Sequence, residues 1–369
     1  MPATDGNRVD VLRNGDEIFP AMLDAIAAAG ATVDFLTFVY WQGDVGTRFA
    51  AALSERARAG VRVRVLLDGW GARPIDERLL AQMDDAGVHL RWFRRPAARQ
   101  LHKANHRTHR KVLVVDEAVA FTGGVGIADE WKGDARTDRE WRDTHFRITG
   151  PAVDGLRAAF LTNWAETDPA LFDRAVDRFP DQPHQGPTAI QCVRGASTTG
   201  WSDVSTVFLA LLQLAEQRVR ITTAYFVPDE RLTAQLCAAA GRGIDVEVLM
   251  PGPNIDKRVV QLAGEASYDQ LLDCGVRIWR FQPSMLHAKI MTVDGVAANI
   301  GSANLNARSA SLDEEINLVA LDPELVRVLD AHFDEDLERS KAVAAGEWER
   351  RSLPQRALER AAKLLRPGM

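Results

Sequence analysis

The sequence predicts an α/β protein built from two related halves that share one active site. Three observations carry that prediction. A pattern of histidine, lysine and aspartate occurs twice, as His109-Arg-Lys111 with Asp116 and as His287-Ala-Lys289 with Asp294. Short β-prone segments recur in the same order in both halves. Between them lie stretches with apolar residues at helical spacing that stop at glycine.

Taken in order, Val33 to Tyr40 matches Val219 to Phe226, Gly60 to Leu67 matches Gly243 to Met250, and Gly87 to Phe93 matches Gly275 to Phe281. These segments are rich in Val, Ile and aromatic residues, and several alternate apolar with polar, so they read as strands. Thr47 to Ala59 and Arg231 to Arg242 read as helices that end at Gly60 and Gly243. Strand and helix in alternation give each half a largely parallel or mixed sheet flanked by helices. The offset between matched segments drifts, as loop insertions after an old duplication would make it. The expected divisions are a first lobe at 1–165, a linker at 166–186 containing Pro169, Pro180 and Pro183, a second lobe at 187–340, and a tail at 341–369.

Composition narrows the class. With 369 residues, 46% hydrophobic and 26% charged, the chain can bury a substantial core. Its net charge of −6 supplies no global basic field, so no nucleic-acid partner is expected. Cys192, Cys237 and Cys274 are odd in number and scattered, which predicts no disulfide framework and a reducing compartment. Residues Met1 to Gly6 lack the basic and apolar pattern of a leader, and no apolar run approaches the roughly 18 residues of a membrane span. Together these point to a cytoplasmic protein.

The repeated motif carries the chemistry. His109 and His287 are 178 positions apart, and so are Gly123 of the Gly123-Gly124 pair and Gly301 of Gly301-Ser302. By chance two such copies arise with a probability on the order of 10⁻⁴. Only 7 of the 45 basic residues are Lys, yet Lys stands at the same place in both copies, where a compact ammonium suits a phosphoryl oxygen better than a planar guanidinium. On an extended segment His109 and Lys111 point to one side, as do His287 and Lys289. Two such pairs supply a nucleophile, an acid and two cations for a phosphodiester, and the set calls for no metal and no cofactor. Asp116 and Asp294 complete the motif, but their parity is wrong for the histidine face, which suggests a structural part. Asp143 and Glu315, 34 and 28 residues past the histidines, are the better candidates to orient the imidazoles.

With these residues in place, the chain resembles the phospholipase D superfamily, and within it the bacterial cardiolipin synthase branch. The resemblance includes Tyr225-Phe-Val-Pro-Asp229, Gln282 to Lys289, Gly301-Ser-Ala-Asn304 and Trp141-Arg-Asp-Thr-His145, and spans roughly Asn7 to Asp334. It implies two pseudo-twofold-related α/β lobes with one site at their interface. It also implies that His109 forms a phosphohistidine, that His287 protonates the leaving group, and that Lys111, Lys289 and Asn304 hold the phosphate, with Gly124 and Ser302 beside it. The reaction implied is transfer of a phosphatidyl group, with phosphatidylglycerol as the expected phospholipid substrate. Hydrolysis to phosphatidic acid, or cleavage of another phosphodiester as a nuclease would perform, are the alternatives. One departure is plain: the first half has Gly126 where the second has Asn304.

Other features carry weaker expectations. His102, His106 and His109 have a helical metal-ligand spacing, but two lysines, two arginines and no carboxylate in that stretch argue against a metal. Trp41, Trp70 and Trp131 are candidates for lipid contact. From Lys341 to Met369, seven basic residues stand against three acidic ones, beside a stripe of Leu353, Ala357, Leu358, Ala361, Leu364 and Leu365. That pattern fits a basic amphipathic helix on an anionic membrane surface, at the inner face of the cell membrane.

Overall fold

The computed structural model describes residues 2–95, 105–168, 179–195, 203–352, 354, 358–359 and 361–362. The first half runs β1 (Thr4–Arg13), α1 (Asn14–Ala27), β2 (Thr32–Thr37), α2 (Asp44–Arg58), β3 (Arg62–Asp68), α3 (Glu77–Asp85) and β4 (His89–Phe93). It continues through β5 (Val112–Val115), β6 (Val119–Gly123), β7 (Thr144–Thr149) and α4 (Ala152–Ala165). The second half begins β8 (Thr188–Arg194), α5 (Asp203–Leu214), β9 (Arg218–Thr222), α6 (Glu230–Gly241), β10 (Asp245–Pro251), α7 (Arg258–Glu265), α8 (Tyr268–Asp273) and β11 (Arg277–Phe281). It ends with β12 (Ile290–Val293), β13 (Ala297–Gly301), α9 (Ala307–Ser311), β14 (Ile316–Leu321) and α10 (Pro323–Glu338), followed by β15 (Ser340–Ala342) and α11 (Ala345–Glu349).

All the described strands join one mixed sheet. Its order is β4-β3-β2-β5-β6-β7-β1 in the first half and, continuing outward, β8-β14-β13-β12-β9-β10-β11, with β15 added at the far edge. The two runs mirror each other strand for strand. They meet where β1 lies antiparallel to β8, pairing Thr4 with Ile190 and Asn7 with Thr188. The α/β class and the two-lobe architecture are therefore those the sequence predicts.

Strand alternation sorts the core into layers. Leu113 and Val115 of β5 pack with α1, α2 and α3, whereas Val112 and Val114 face the opposite side with α4 and α10. That second core crosses between the halves, holding Phe146 and Phe160 of the first together with Ile300, Leu318 and Leu329 of the second. Burying each such side chain contributes about 1.5–3 kcal/mol, so the halves are fastened by apolar packing as well as by β1 and β8.

Asp116 and Asp294, which belong to the motif that carries the chemistry, lie at the other end of their strands from the histidines. The Asp116 carboxylate accepts the backbone N–H groups of Gly30, Ala31 and Thr32 at 2.7–2.8 Å, fixing the start of β2. Asp294 repeats this on Glu216, Gln217 and Arg218 at 2.8–2.9 Å, fixing the start of β9. Partial burial pushes the Asp294 carboxyl up, but the three amides outweigh it and hold it below its ordinary value. Both residues have positive φ, 49° and 53°, a region that Asp tolerates better than most side chains. The motif thus carries its own strand clamp, as the parity argument suggested.

Three further expectations meet the structure here. Cys237 and Cys274 are joined in a disulfide with Cα atoms 5.3 Å apart, so the reading of three unpaired cysteines is corrected; Cys192 is free and buried. Scattered positions 37 apart meet because α6 packs against α8. The tail does not start as a free helix: Lys341 lies in β15, paired with Arg280 of β11. Of the stripe, Leu353, Ala357, Leu364 and Leu365 lie outside the described residues, as do His102 and residues 169–178 of the linker. Among the described residues no helix is long and apolar enough to cross a membrane.

Replacing either clamp, Asp116→Ala or Asp294→Ala, is expected to cost about 2–3 kcal/mol through lost charge-assisted amide bonds. Thermal melting should show this as a drop of several degrees in Tm, and an unchanged Tm would contradict the clamp.

Candidate active site

The site lies where the chain enters β5 and β12. His109 and Lys111 precede Val112, and His287 and Lys289 precede Ile290, so the extended approach to each strand aims both side chains the same way. All four are buried, with no more than 8% of any residue exposed.

Two reciprocal backbone bridges bring the halves together at this level. Thr108, just before His109, pairs in parallel with Glu314, just before Glu315; Leu286, just before His287, pairs with Arg142, just before Asp143. His109 N donates to Glu314 O at 2.9 Å, and His287 N donates to Arg142 O at 2.6 Å. The consequence is a crossover. His109 Nδ1 lies 3.0 and 3.1 Å from the Glu315 carboxylate oxygens, and His287 Nδ1 lies 2.9 Å from Asp143 Oδ2. Each imidazole is oriented by the carboxylate of the other half.

The residues before the carboxylates brace this crossing. Arg142 is buried and holds Asp336 of α10 at 2.9 and 3.1 Å while donating to the Asp143 carbonyl at 2.6 Å. Glu314 accepts from Asn163 of α4 and from Arg94 at 3.1 Å. Each brace reaches the long helix of the opposite half.

The two pairs share a plan but have different surroundings. Ser302 and Ser309 donate to Glu315 at 2.5 and 2.7 Å. Trp131 Nε1 donates to Asp143 Oδ2 at 2.8 Å, and the Thr144 amide donates to Oδ1 at 2.8 Å. Trp131 and Ser309 are themselves 178 positions apart, so equivalent sites supply an indole in one half and a hydroxyl in the other. Trp131, Trp141 and Tyr225 wall in His287 with ring centroids at 5.3, 5.4 and 6.2 Å, whereas Phe38 lies 5.1 Å from the His109 ring.

Several expectations are revised by this geometry. Gly124 does not offer its amide to a ligand: that N–H faces the Thr144 carbonyl at 3.4 Å, and a Cβ there would come within 2.3 Å of Asp143 Oδ1. The glycine makes room for the carboxylate. Ser302 spends its hydroxyl on Glu315 instead of a phosphate. Gly126 has no space for an asparagine, because a Cβ would meet the Val39 side chain at 2.6 Å. Asn304 is buried, with an Oδ1 that has no hydrogen-bond partner among the described residues. Trp131 is buried and Trp41 partly so, donating to the Gly71 carbonyl at 2.9 Å; Trp70 remains 58% exposed. The donors Trp131 and Ser309 and the braces Arg142 and Glu314 were missed. The shared offset of the first two was the available signal.

Burial and charge set the protonation states. Burial drives His109 down to about 4 against the pull of Glu315, and Glu315 stays ionised at about 2 because the His109 pair and neighbouring donors outweigh its burial. A neutral His109 that donates Nδ1–H to Glu315 presents a free lone pair on Nε2. His287 is pushed well below its ordinary value by burial and then by Lys289, Lys111 and His109, while burial raises Asp143. Lys289 Nζ lies 2.9 and 3.1 Å from the two His287 ring nitrogens. Burial also lowers Lys111 to about 8 and Lys289 to about 7. An anion between them favours their charged forms, so binding takes up protons above pH 7.

Tungstate, a phosphate mimic, should therefore bind tightest below pH 7 and weaken as pH rises through 8, by up to roughly tenfold per pH unit for each lysine above its pKa. Calorimetric titration from pH 6 to 9 checks this, and an affinity flat across that range would contradict it.

Comparison with known proteins accords with this geometry. The family model described as "Cardiolipin synthase, PLD-like domain" matches residues 22–131 and 208–337. Cardiolipin synthase 1 of Bacillus cereus is 32% identical over 374 residues, covering 99% of this chain and 73% of its own length. Cardiolipin synthase A of Pseudomonas fluorescens is 33% identical, covering 100% and 76%. Among solved structures, phosphatidylserine synthase of Haemophilus influenzae shares the fold with a TM-score of 0.71 at 14% identity, over 98% of this chain and 95% of that one. Two family-model matches, one in each half, and relatives aligned over nearly the whole chain lead to one assignment: the chain belongs to the phospholipase D superfamily, in its cardiolipin synthase branch.

Proposed function

We propose that this protein is a phosphatidyltransferase of the phospholipase D type that moves a phosphatidyl group between glycerol-containing phospholipids through a phosphohistidine on His109. The observation that carries the reading is the pair of crossed histidine–carboxylate contacts, whose surroundings push the two imidazoles toward different roles. Glu315 is firmly ionised, so His109 keeps its proton on Nδ1 and attacks with Nε2. His287 Nδ1 lies against Asp143 inside an aromatic wall, which leaves Nε2 as the atom that hands a proton to the leaving oxygen.

In the first step His109 Nε2 forms a bond to phosphorus as the phosphorus–oxygen bond to the leaving headgroup breaks, and His287 gives that oxygen a proton. Lys111, Lys289 and Asn304 face the phosphoryl oxygens and take up the charge that develops there. In the second step His287 takes the proton of an acceptor hydroxyl, whose oxygen bonds to phosphorus as the bond to His109 Nε2 breaks. With phosphatidylglycerol as donor and acceptor, the products are cardiolipin and glycerol. Neither lobe, 1–165 or 187–340, holds a complete set, so the two joined through 166–186 work as one unit.

The substrate places the enzyme at an anionic membrane surface as a peripheral protein. Because Cys237 and Cys274 are bonded, the cysteines no longer favour a reducing compartment.

Purified protein incubated with phosphatidylglycerol vesicles should yield cardiolipin and free glycerol by mass spectrometry. His109→Ala should lower turnover on the order of 10⁴-fold and His287→Ala by about 10²–10⁴-fold. Phosphatidic acid as the main product would make the protein a hydrolase, and turnover that survives His109→Ala would refute the phosphohistidine route.

A further inference from the structure

We infer that a cavity in the second half receives one acyl chain of the phosphatidyl group; the inference rests on the phosphatidyl reading of the site. The cavity holds about 290 Å³ between the start of α5, the start of α6 and the segment from Ala303 to Ser311. Val204, Phe208, Leu209, Val227, Leu232 and Leu305 supply its apolar wall. At roughly 30 Å³ for a water-sized group, it has room for about ten methylenes.

The cavity adjoins the reacting centre through two shared residues. Ser309 lines it and also holds the Glu315 carboxylate that orients His109. Asn304 lines it too, with a buried Oδ1 that has no partner among the described residues. Three polar groups on its border are engaged within the protein, while the Arg231 side chain stands exposed at its rim. Asp229 accepts from Leu232 N at 2.7 Å, Asn306 accepts from Ser309 N at 2.9 Å, and Ser311 donates to the Ala307 carbonyl at 2.7 Å. A hydrocarbon chain laid along the apolar wall has no polar groups to satisfy.

Comparison of the halves points the same way. At the positions equivalent to Asn304, Ala307 and Ser309, the first half carries Gly126, Asp129 and Trp131. Trp131 is buried, and the start of α1 presses against it so closely that a Cβ on Gly15 would lie 1.9 Å from the Trp131 carbonyl oxygen. Asp129 accepts the amides of Asp44 and Val45 at 3.1 and 2.9 Å, closing the start of α2 onto the same turn. The first half fills this space with an indole and a carboxylate. The second replaces them with a hydroxyl and a methyl group and leaves a cavity. A phosphodiester with one apolar and one polar substituent needs that inequality.

The test is kcat/KM for phosphatidylglycerols of increasing chain length, each kept monomeric below its critical micelle concentration. Each buried methylene is worth about fourfold, so dioctanoyl lipid should exceed dibutyryl lipid by at least roughly tenfold in the wild-type enzyme. Leu209→Trp on α5 and Ala310→Phe on α9 fill the cavity from opposite walls, and each should bring that ratio close to one. Melting curves identify a variant that has lost its fold, and the other wall then supplies the result. A wild-type ratio near one, or a ratio unchanged in folded variants, would overturn the cavity assignment alone. Cleavage of bis(p-nitrophenyl) phosphate with no turnover of any phosphatidylglycerol would overturn the phosphatidyl reading and this inference together.

Discussion

Everything in this structure turns on the crossing of two histidine–carboxylate contacts between the halves. His109 depends on Glu315 and His287 on Asp143, so neither motif is a complete catalytic unit. The crossing fixes how the halves must meet. Thr108 with Glu314 and Leu286 with Arg142 are bridges that form only when the two strand entries face each other in one register. Beneath them, β1 beside β8 and the shared core of α4 and α10 hold that register. Buried charges of this kind are costly unless fully paired, which is why the braces on Arg142 and Glu314 extend into the opposite half's helices.

A duplicated site begins with two equal histidines, yet phosphoryl transfer needs unequal ones. The inequality arises in the surroundings, since the motif is identical in both halves. Glu315 receives two hydroxyl donors and stays strongly acidic. Asp143, one methylene shorter, reaches its place only because Gly124 has no side chain, and its donors are the Thr144 amide and the indole of Trp131 inside an aromatic wall. Desolvation there raises the carboxyl and lowers His287. The same substitution of Trp131 by Ser309 also leaves the second half with a cavity. One pair of equivalent positions thereby makes the surroundings of the two histidines unequal.

Much of this was legible in the sequence, for identifiable reasons. The strands recur with alternating Val and Ile, the helices stop at Gly60 and Gly243, and the motif repeats at a fixed offset, so both the fold and the two buried histidine–lysine pairs of the candidate site follow from local pattern. Asp143 and Glu315 were legible as carboxylates one strand further on, but not their partners, because spacing along the chain does not say which half a side chain will face. Asp116 and Asp294 belong to the motif yet act on backbone amides, a role that their parity hinted at. Gly124 read as a phosphate contact, although its purpose is to have no Cβ. The disulfide was missed because contact between α6 and α8 depends on tertiary packing, which cysteine counting does not report.

The most direct test of the crossed site is ¹⁵N NMR of histidine-labelled protein, comparing the wild type with Glu315→Gln and Asp143→Asn. If the carboxylates cross, Glu315→Gln in the second half shifts the ring resonances of His109 in the first, and Asp143→Asn shifts those of His287. If each substitution instead perturbs the histidine of its own half, the crossing is wrong, and with it the division of labour between nucleophile and acid.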